Sequence, residues 1–250
     1  MSGDLTMKKA LRVALNSLIT VTLIGISAIL AVTPVFAAKD DALAIYFQAE
    51  QLEYRLLKGK DILVWDVNAW IGEDYNKIAF KSEGEKLVGG KVEAVETQFL
   101  YRRLISKFFD LEAGFRRDFR PNPKRSFAVL GIQGLAPYWF EVNGSAFLSN
   151  KGDLSARFEA GYDLLLTQKL ILEPSAEVNV AFSNDAARGV GRGLSDIDLG
   201  LRLRYEITRK FAPYIGLNWE RKFGKTASFA RDEGESVSSF SILTGVRFWF

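Results

Sequence analysis

The last segment of the chain imposes the tightest constraint on its fold. Its even-numbered positions carry Phe240, Ile242, Thr244, Val246, Phe248 and Phe250, and its odd-numbered positions include Ser239, Ser241, Gly245 and Arg247. Successive side chains of a β-strand point to opposite faces, so the segment predicts a strand with one apolar and one polar side. Such an aromatic edge invites aggregation in water, whereas a membrane barrel pairs it and turns its apolar side to lipid. The segment therefore predicts the closing strand of an outer-membrane barrel, with Phe250 recognised by the barrel-assembly machinery.

The same alternation recurs along most of the chain and is broken by turn residues. It predicts strands at about 45–57, 62–71, 75–83, 91–103, 108–119, 126–136, 138–149, 153–166, 169–182, 194–207, 211–223 and 237–250. In the first of these the apolar parity switches near Gln51. Connections are alternately long and short, which is typical of a chain that weaves through a membrane. We therefore predict an all-β, antiparallel, up-and-down transmembrane barrel of about twelve strands, with both termini in the periplasm.

The N-terminal residues predict an export signal. Lys8, Lys9 and Arg12 precede a largely apolar stretch from Val13 to Val32, and small residues follow Pro34. This pattern is typical of a cleaved signal peptide, although about 20 apolar residues are also long enough for an uncleaved membrane anchor. We expect a signal peptide over residues 1–37, a short periplasmic segment over 38–44 and the barrel over 45–250.

The absence of cysteine and histidine restricts the chemistry of the chain. Its methionines, Met1 and Met7, lie in the predicted signal peptide. Disulfides are excluded, and there is no imidazole to activate a serine or a water molecule. Ser–Lys or paired-carboxylate chemistry stays formally open, but we expect no enzyme. Membrane lipid is the expected surrounding, and no nucleic-acid partner is expected.

The predicted inward faces carry many charges of both signs. They would form either a self-neutralising network that solvates the lumen or a cation path made of carboxylates, which suit hard or borderline cations. Arg188 to Gly193 is rich in glycine but precedes a strand, so it predicts a flexible surface loop instead of a phosphate-binding loop.

Several stretches resemble the copper-resistance protein B family of outer-membrane proteins. They are Leu63–Asp66, Trp70–Lys77, Lys81–Glu85, Gly89–Glu93, Phe119–Pro121 with Pro123, Gly131–Phe140, Leu166–Leu172, Gly193–Asp196, Phe211–Tyr214 and Gly245–Phe250. The resemblance spans about residues 45–250 and implies an outer-membrane barrel that contributes to copper tolerance.

Members of that family often carry a Met- and His-rich periplasmic segment that captures copper, and this chain lacks it. Copper, if it binds here, would need carboxylates, backbone groups or delivery by a periplasmic copper-binding protein. The candidate metal ligands are Asp66, Asp74, Glu83, Glu85 and Glu112. The expected function is a copper efflux or permeation route, or a docking partner for periplasmic copper handling. A general small-solute or ion channel is the alternative, and a structural or adhesive barrel with functional long loops is a third possibility.

Overall fold

The computed structural model describes residues 43–250, which form a closed antiparallel β-barrel. The predicted signal peptide and most of the segment at 38–44 lie outside the described residues. Twelve strands follow one another around the ring. They are β1 (Ala44–Leu56), β2 (Ile62–Gly72), β3 (Asn76–Leu87), β4 (Val92–Ser106), β5 (Phe109–Arg120), β6 (Arg125–Ala136), β7 (Phe140–Ser149), β8 (Leu154–Gly161 and Leu164–Leu165), β9 (Leu170–Ala181), β10 (Gly193–Tyr205), β11 (Phe211–Lys222) and β12 (Ser238–Trp249). The predicted antiparallel, up-and-down barrel of twelve strands is confirmed.

Pairing of β12 with β1 closes the ring. Leu56 lies opposite Ile242 at one end of this seam, and Gln48 lies opposite Trp249 at the other. The backbones of Phe47 and Phe250 exchange hydrogen bonds of 3.3 and 2.9 Å beyond the last paired residues. The aromatic terminal strand therefore has both of its edges paired, which satisfies backbone groups that lipid could not.

The two ends of the barrel differ in their connections. The long-loop end carries the connections at residues 57–61, 88–91, 121–124, 150–153, 182–192 and 223–237, and the last of these contains helix α1 (Gly224–Asp232). The short-turn end carries the connections at 73–75, 107–108, 137–139, 166–169 and 206–210, together with both ends of the described chain. Among residues 43–250 no helix is long and apolar enough to cross a membrane.

Four details of the strands differ from, or refine, the sequence-based assignment. The parity switch near Gln51 is a β-bulge, since the pairing of β1 with β2 shifts between Ala49 and Gln51. Strand β3 extends to Leu87 instead of residue 83, and the long polar connection after β11 contains a helix. Strand β8 is interrupted between Gly161 and Leu164. The β9 residue that follows this register is Pro174, which has no N–H to donate to β8.

The wall separates apolar and polar side chains by parity. Large apolar residues face outward, among them Ile78, Phe99, Phe115, Leu130, Phe158 and Ile215, each at least 46% exposed. The inward faces are mostly charged. They also hold one apolar cluster of Ala79, Leu100, Val129 and Phe147, against which Trp70 and Phe127 pack. This cluster fills the lumen along the wall from β3 to β7.

A buried charge network ties β1 to β10 and β11 inside the lumen. Glu53 on β1 is 2% exposed and accepts from Arg55 at 2.7 Å and from Arg202 on β10 at 2.6 Å. The Tyr214 hydroxyl on β11 donates to the same carboxylate at 3.1 Å. A buried carboxylate is tolerated when cations and hydrogen bonds compensate for its lost hydration, and all of these are present here.

Candidate functional site in the barrel lumen

The lumen contains a cavity of about 860 Å³ whose lining is rich in carboxylates. Fourteen acidic and eight basic side chains line it, which leaves a formal excess of six negative charges. Strand alternation produces this lining, because every second residue of each strand points inward. The low-dielectric wall concentrates the resulting field inside the barrel, so the lumen attracts cations.

Cross-strand pairing arranges eight of these carboxylates in two rows. The β2–β5 acidic row consists of Asp66, Glu83, Glu96 and Asp118, each directly opposite the next across a strand pair. The β8–β11 acidic row consists of Glu159, Glu177, Asp198 and Glu220, paired in the same way. Six strand positions separate the two rows in a ring of twelve, so they lie on opposite walls. Like charges directly opposite each other repel, which requires compensating cations.

Arg157 on β8 bridges the two acidic rows across the lumen. Its guanidinium nitrogens lie 2.9 Å from Glu83 and 3.0 Å from Glu96 on the far wall. They also lie 3.3 Å from Glu177 on the near wall. One cation therefore neutralises part of both rows, and its side chain narrows the lumen at this level.

The β9–β10 loop (residues 182–192) crosses the mouth at the long-loop end. Asp185 accepts two hydrogen bonds from the Arg125 guanidinium, both of 3.0 Å, and Arg188 lies 2.7 Å from Asp118. Arg125 and Asp118 lie at the ends of β6 and β5, so the loop reaches across the barrel from β9 and β10. We call these two ion pairs the loop latch. Residues 188–192 lie in a connection at the end of the barrel, as predicted, and Arg188 in addition finds an acidic partner inside the mouth.

Glycine lets the same loop pack closely against helix α1. Gly191 is buried, and its N–H donates to the Thr226 hydroxyl at 2.9 Å. A Cβ atom at Gly191 would lie 2.3 Å from the Lys225 Cβ and 2.6 Å from the Thr226 nitrogen. The glycine at position 191 thus permits close packing of the loop against the helix.

Aromatic rings line the lumen at the short-turn end. Tyr46 stacks on Trp70 with ring centroids 5.6 Å apart, and its ring lies 6.0 Å from that of Trp249. Lys77 lies over the Trp70 ring at 5.4 Å, and Lys210 over the Trp249 ring at 5.1 Å. This mouth therefore combines a flat aromatic wall with two cations, in contrast to the acidic lumen behind it.

The structure places the five candidate metal ligands in three different settings. Asp66 and Glu83 lie opposite each other in the β2–β5 acidic row, and Glu85 is the next inward residue on β3. Glu112 is fully buried and pairs with Arg102 at 2.7 Å and Lys81 at 3.4 Å. Asp74 is exposed in the β2–β3 turn.

The inward residues do not converge on a resident copper centre. Within residues 43–250, no three acidic side chains lie close enough together to hold a metal ion, and that range contains no histidine, cysteine or methionine. The five candidate ligands therefore form no shared three-carboxylate site among these residues.

Sequence reasoning missed the residues that close the long-loop end. Arg125 begins β6, and Asp185 and Arg188 lie in a loop, so period-two alternation carries no information about which way these side chains point. Alternation places Asp118 on the inward face of β5 but does not identify its partner in the loop. The one available signal was a run of basic residues between 116 and 125, which contains the single acid Asp118, together with Asp185 and two arginines between 185 and 192.

Comparison with known proteins identifies the family. The profile described as "Copper resistance protein B precursor (CopB)" matches residues 43–250. The copper resistance protein B homolog of Pseudomonas syringae pv. tomato is 44% identical over 211 residues, which cover 84% of this chain and 71% of the relative. Copper resistance protein B of Escherichia coli is 46% identical over 214 residues, which cover 86% and 72%.

A solved outer-membrane structure supports the fold alone. The NanC porin superposes with a TM-score of 0.53 at 14% identity, covering 82% of this chain and 99% of the porin. Fold, family profile and relatives agree: the chain belongs to the copper resistance protein B family and is an outer-membrane β-barrel of a Gram-negative bacterium with a role in copper resistance.

Proposed function

We propose that the barrel supports copper resistance by passing copper ions through its lumen, out of the periplasm. The observation that carries this proposal is the excess of six negative charges on the cavity lining, arranged as two facing acidic rows. An acidic lumen raises the local concentration of cations and repels anions.

The ligand chemistry favours Cu(II) as the cargo. Carboxylate oxygens bind hard and borderline cations, whereas Cu(I) prefers thiolate and thioether sulfur. Conduction requires sites that hold an ion well enough to admit it and weakly enough to release it. Carboxylates spread along two rows, as Asp66 and Glu83 are on one wall and Asp198 and Glu220 on the other, suit such stepwise transfer.

The described conformation represents a closed state of the proposed route. Arg157 spans the middle of the lumen, and the β9–β10 loop crosses the mouth. Opening requires release of the loop latch, since its ion pairs hold the loop across the mouth. Incoming cations compete with Arg157 for the carboxylates of both rows. They therefore weaken the ion pairs through which Arg157 narrows the lumen.

The barrel orientation completes the proposal. Short turns and both ends of the described chain share one end, which we place in the periplasm, with the long loops outside the cell. A periplasmic copper-binding protein would then meet the aromatic mouth formed by Tyr46, Trp70 and Trp249. Phe250 at the seam is the proposed recognition element for the barrel-assembly machinery.

Growth on graded copper tests the proposal in cells. A deletion strain is complemented with the wild-type gene, with the row variant (Asp66→Asn with Glu220→Gln) or with the surface control (Glu93→Gln with Asp232→Asn). Within residues 43–250, Asp66 and Glu220 make no ion pair, so their neutralisation leaves the described charge network intact.

We expect the wild type and the surface control to restore copper tolerance and the row variant to restore it only partly. Zinc, silver and high salt serve as parallel challenges. Unchanged copper tolerance in the deletion strain, combined with altered uptake of small solutes, would favour a general channel instead. Full rescue by the row variant would show that the acidic rows do not carry the copper function.

A further inference from the structure

Five basic side chains lie outside the lumen at the long-loop end of strands β3–β8. They are Lys86, Lys91, Arg117, Lys124 and Lys151, which we call the basic rim. Lys86 and Arg117 point outward by strand parity, and the other three lie in successive connections. Along this part of the long-loop end the one exposed carboxylate of the described residues is Glu93.

The basic rim differs from the lumen in how its cations are paired. The lumenal guanidinium groups of Arg102, Arg116, Arg157 and Arg202 all form ion pairs within 3.5 Å. The five rim cations form none with any carboxylate of residues 43–250. Their charge is therefore available to an anion outside the protein.

The rim lies where the outward apolar surface ends. Arg117 shares its face of β5 with Phe115 and Phe119, which are 56% and 43% exposed. The Ser126 hydroxyl on β6 accepts a hydrogen bond from the Arg117 guanidinium and orients it along the wall. A cation in line with lipid-facing aromatic side chains meets the headgroup layer and not bulk water.

We propose that the basic rim binds the phosphate groups of lipopolysaccharide, the phosphorylated glycolipid of the outer leaflet. Arg117 supplies a planar guanidinium that matches phosphate geometry, and the four lysines supply flexible point charges. The inference depends on the proposed orientation, with the long loops outside the cell, but not on copper passage. The long-loop end would thereby be anchored in the lipid layer that surrounds it.

Binding of fluorescently labelled lipopolysaccharide to the full chain purified in detergent tests the proposal by anisotropy titration. The rim variant carries Lys86→Gln, Arg117→Gln and Lys124→Gln. The matched control carries Arg103→Gln, Lys107→Gln and Lys169→Gln, which remove the same charge at the short-turn end. A charge-preserving variant, K86R/R117K/K124R, and heat-dependent gel mobility of all samples separate lost binding from lost folding.

Each cation near an anionic lipid surface contributes about fivefold to affinity, so the rim variant should bind on the order of one hundredfold more weakly. The matched control should bind like the wild type, and the charge-preserving variant within about fivefold of it, because it keeps the charge but loses the planar guanidinium of Arg117. Lipopolysaccharide stripped of its phosphates should bind weakly to all variants. Equal losses in the rim variant and the matched control would overturn the proposal, because they would show nonspecific charge attraction. Full displacement by millimolar inorganic phosphate would also overturn it, since free phosphate would then be the ligand.

Discussion

The loop latch allows a quantitative test of the proposed closed state. Asp185→Asn removes the carboxylate that accepts two hydrogen bonds of 3.0 Å from Arg125. The two side chains are 15% and 11% exposed, so water screens their pairing only partly. Hydrogen bonds between charged groups contribute about 1.5–3 kcal/mol each, and an asparagine oxygen retains one neutral acceptor. We therefore expect the latch to weaken by about 2 kcal/mol, which raises the ratio of open to closed states roughly thirtyfold.

Single-channel recording in planar bilayers measures this ratio as the open fraction over time. Asp232→Asn is the matched control, because that exposed carboxylate in α1 lies outside the latch. Arg125→Gln should produce a similar increase, and the double variant should add little to either single change, since both remove the same interaction. Equal open fractions in Asp185→Asn and wild type would refute the assignment of the β9–β10 loop as the closing element.

Three further predictions follow from the same contacts. Glu53→Gln leaves two buried guanidinium groups uncompensated and should lower the free energy of unfolding by about 3–5 kcal/mol, measured by urea titration in vesicles; a loss below about 1 kcal/mol would contradict this. Arg157→Gln removes the cation that bridges both acidic rows and should raise the cation-to-anion permeability ratio, read from the reversal potential; an unchanged potential would count against the bridge. Gly191→Ala places a Cβ 2.3 Å from the Lys225 Cβ and should raise the open fraction, whereas Gly161→Ala, with no atom within 4 Å of the added carbon, should leave it unchanged.

The barrel was predictable from the sequence because strand alternation is a local property. Inward-facing residues of a strand such as β10 recur at every second position, and the lipid-facing residues lie between them. Even the bulge in β1 was visible as a parity switch near Gln51. The interruption of β8 was not, because its cause, Pro174, lies on the neighbouring strand and acts through a missing backbone donor.

The candidate site was predictable as a composition but not as an arrangement. Alternation identified Asp66, Glu112 and Arg157 as inward, yet it could not distinguish a carboxylate neutralised by two cations from one in an acidic row. That distinction depends on register between strands and on contacts across the lumen, such as that of Arg157 with Glu83, which are 74 residues apart in sequence. The loop latch required knowledge of how a glycine-rich loop folds, which no periodic pattern reports.

Copper flux into vesicles measures passage through the lumen itself. Purified barrel is reconstituted into liposomes that enclose a Cu(II)-sensitive dye. External Cu(II) is then added to liposomes that carry the wild type, the row variant or the surface control. We expect Cu(II) influx through the wild type and the surface control. Influx through the row variant should be about tenfold slower, which is the lower end of the effect of charge focusing. Influx through the row variant at the wild-type rate, or no barrel-dependent influx at all, would contradict a copper path along the acidic rows.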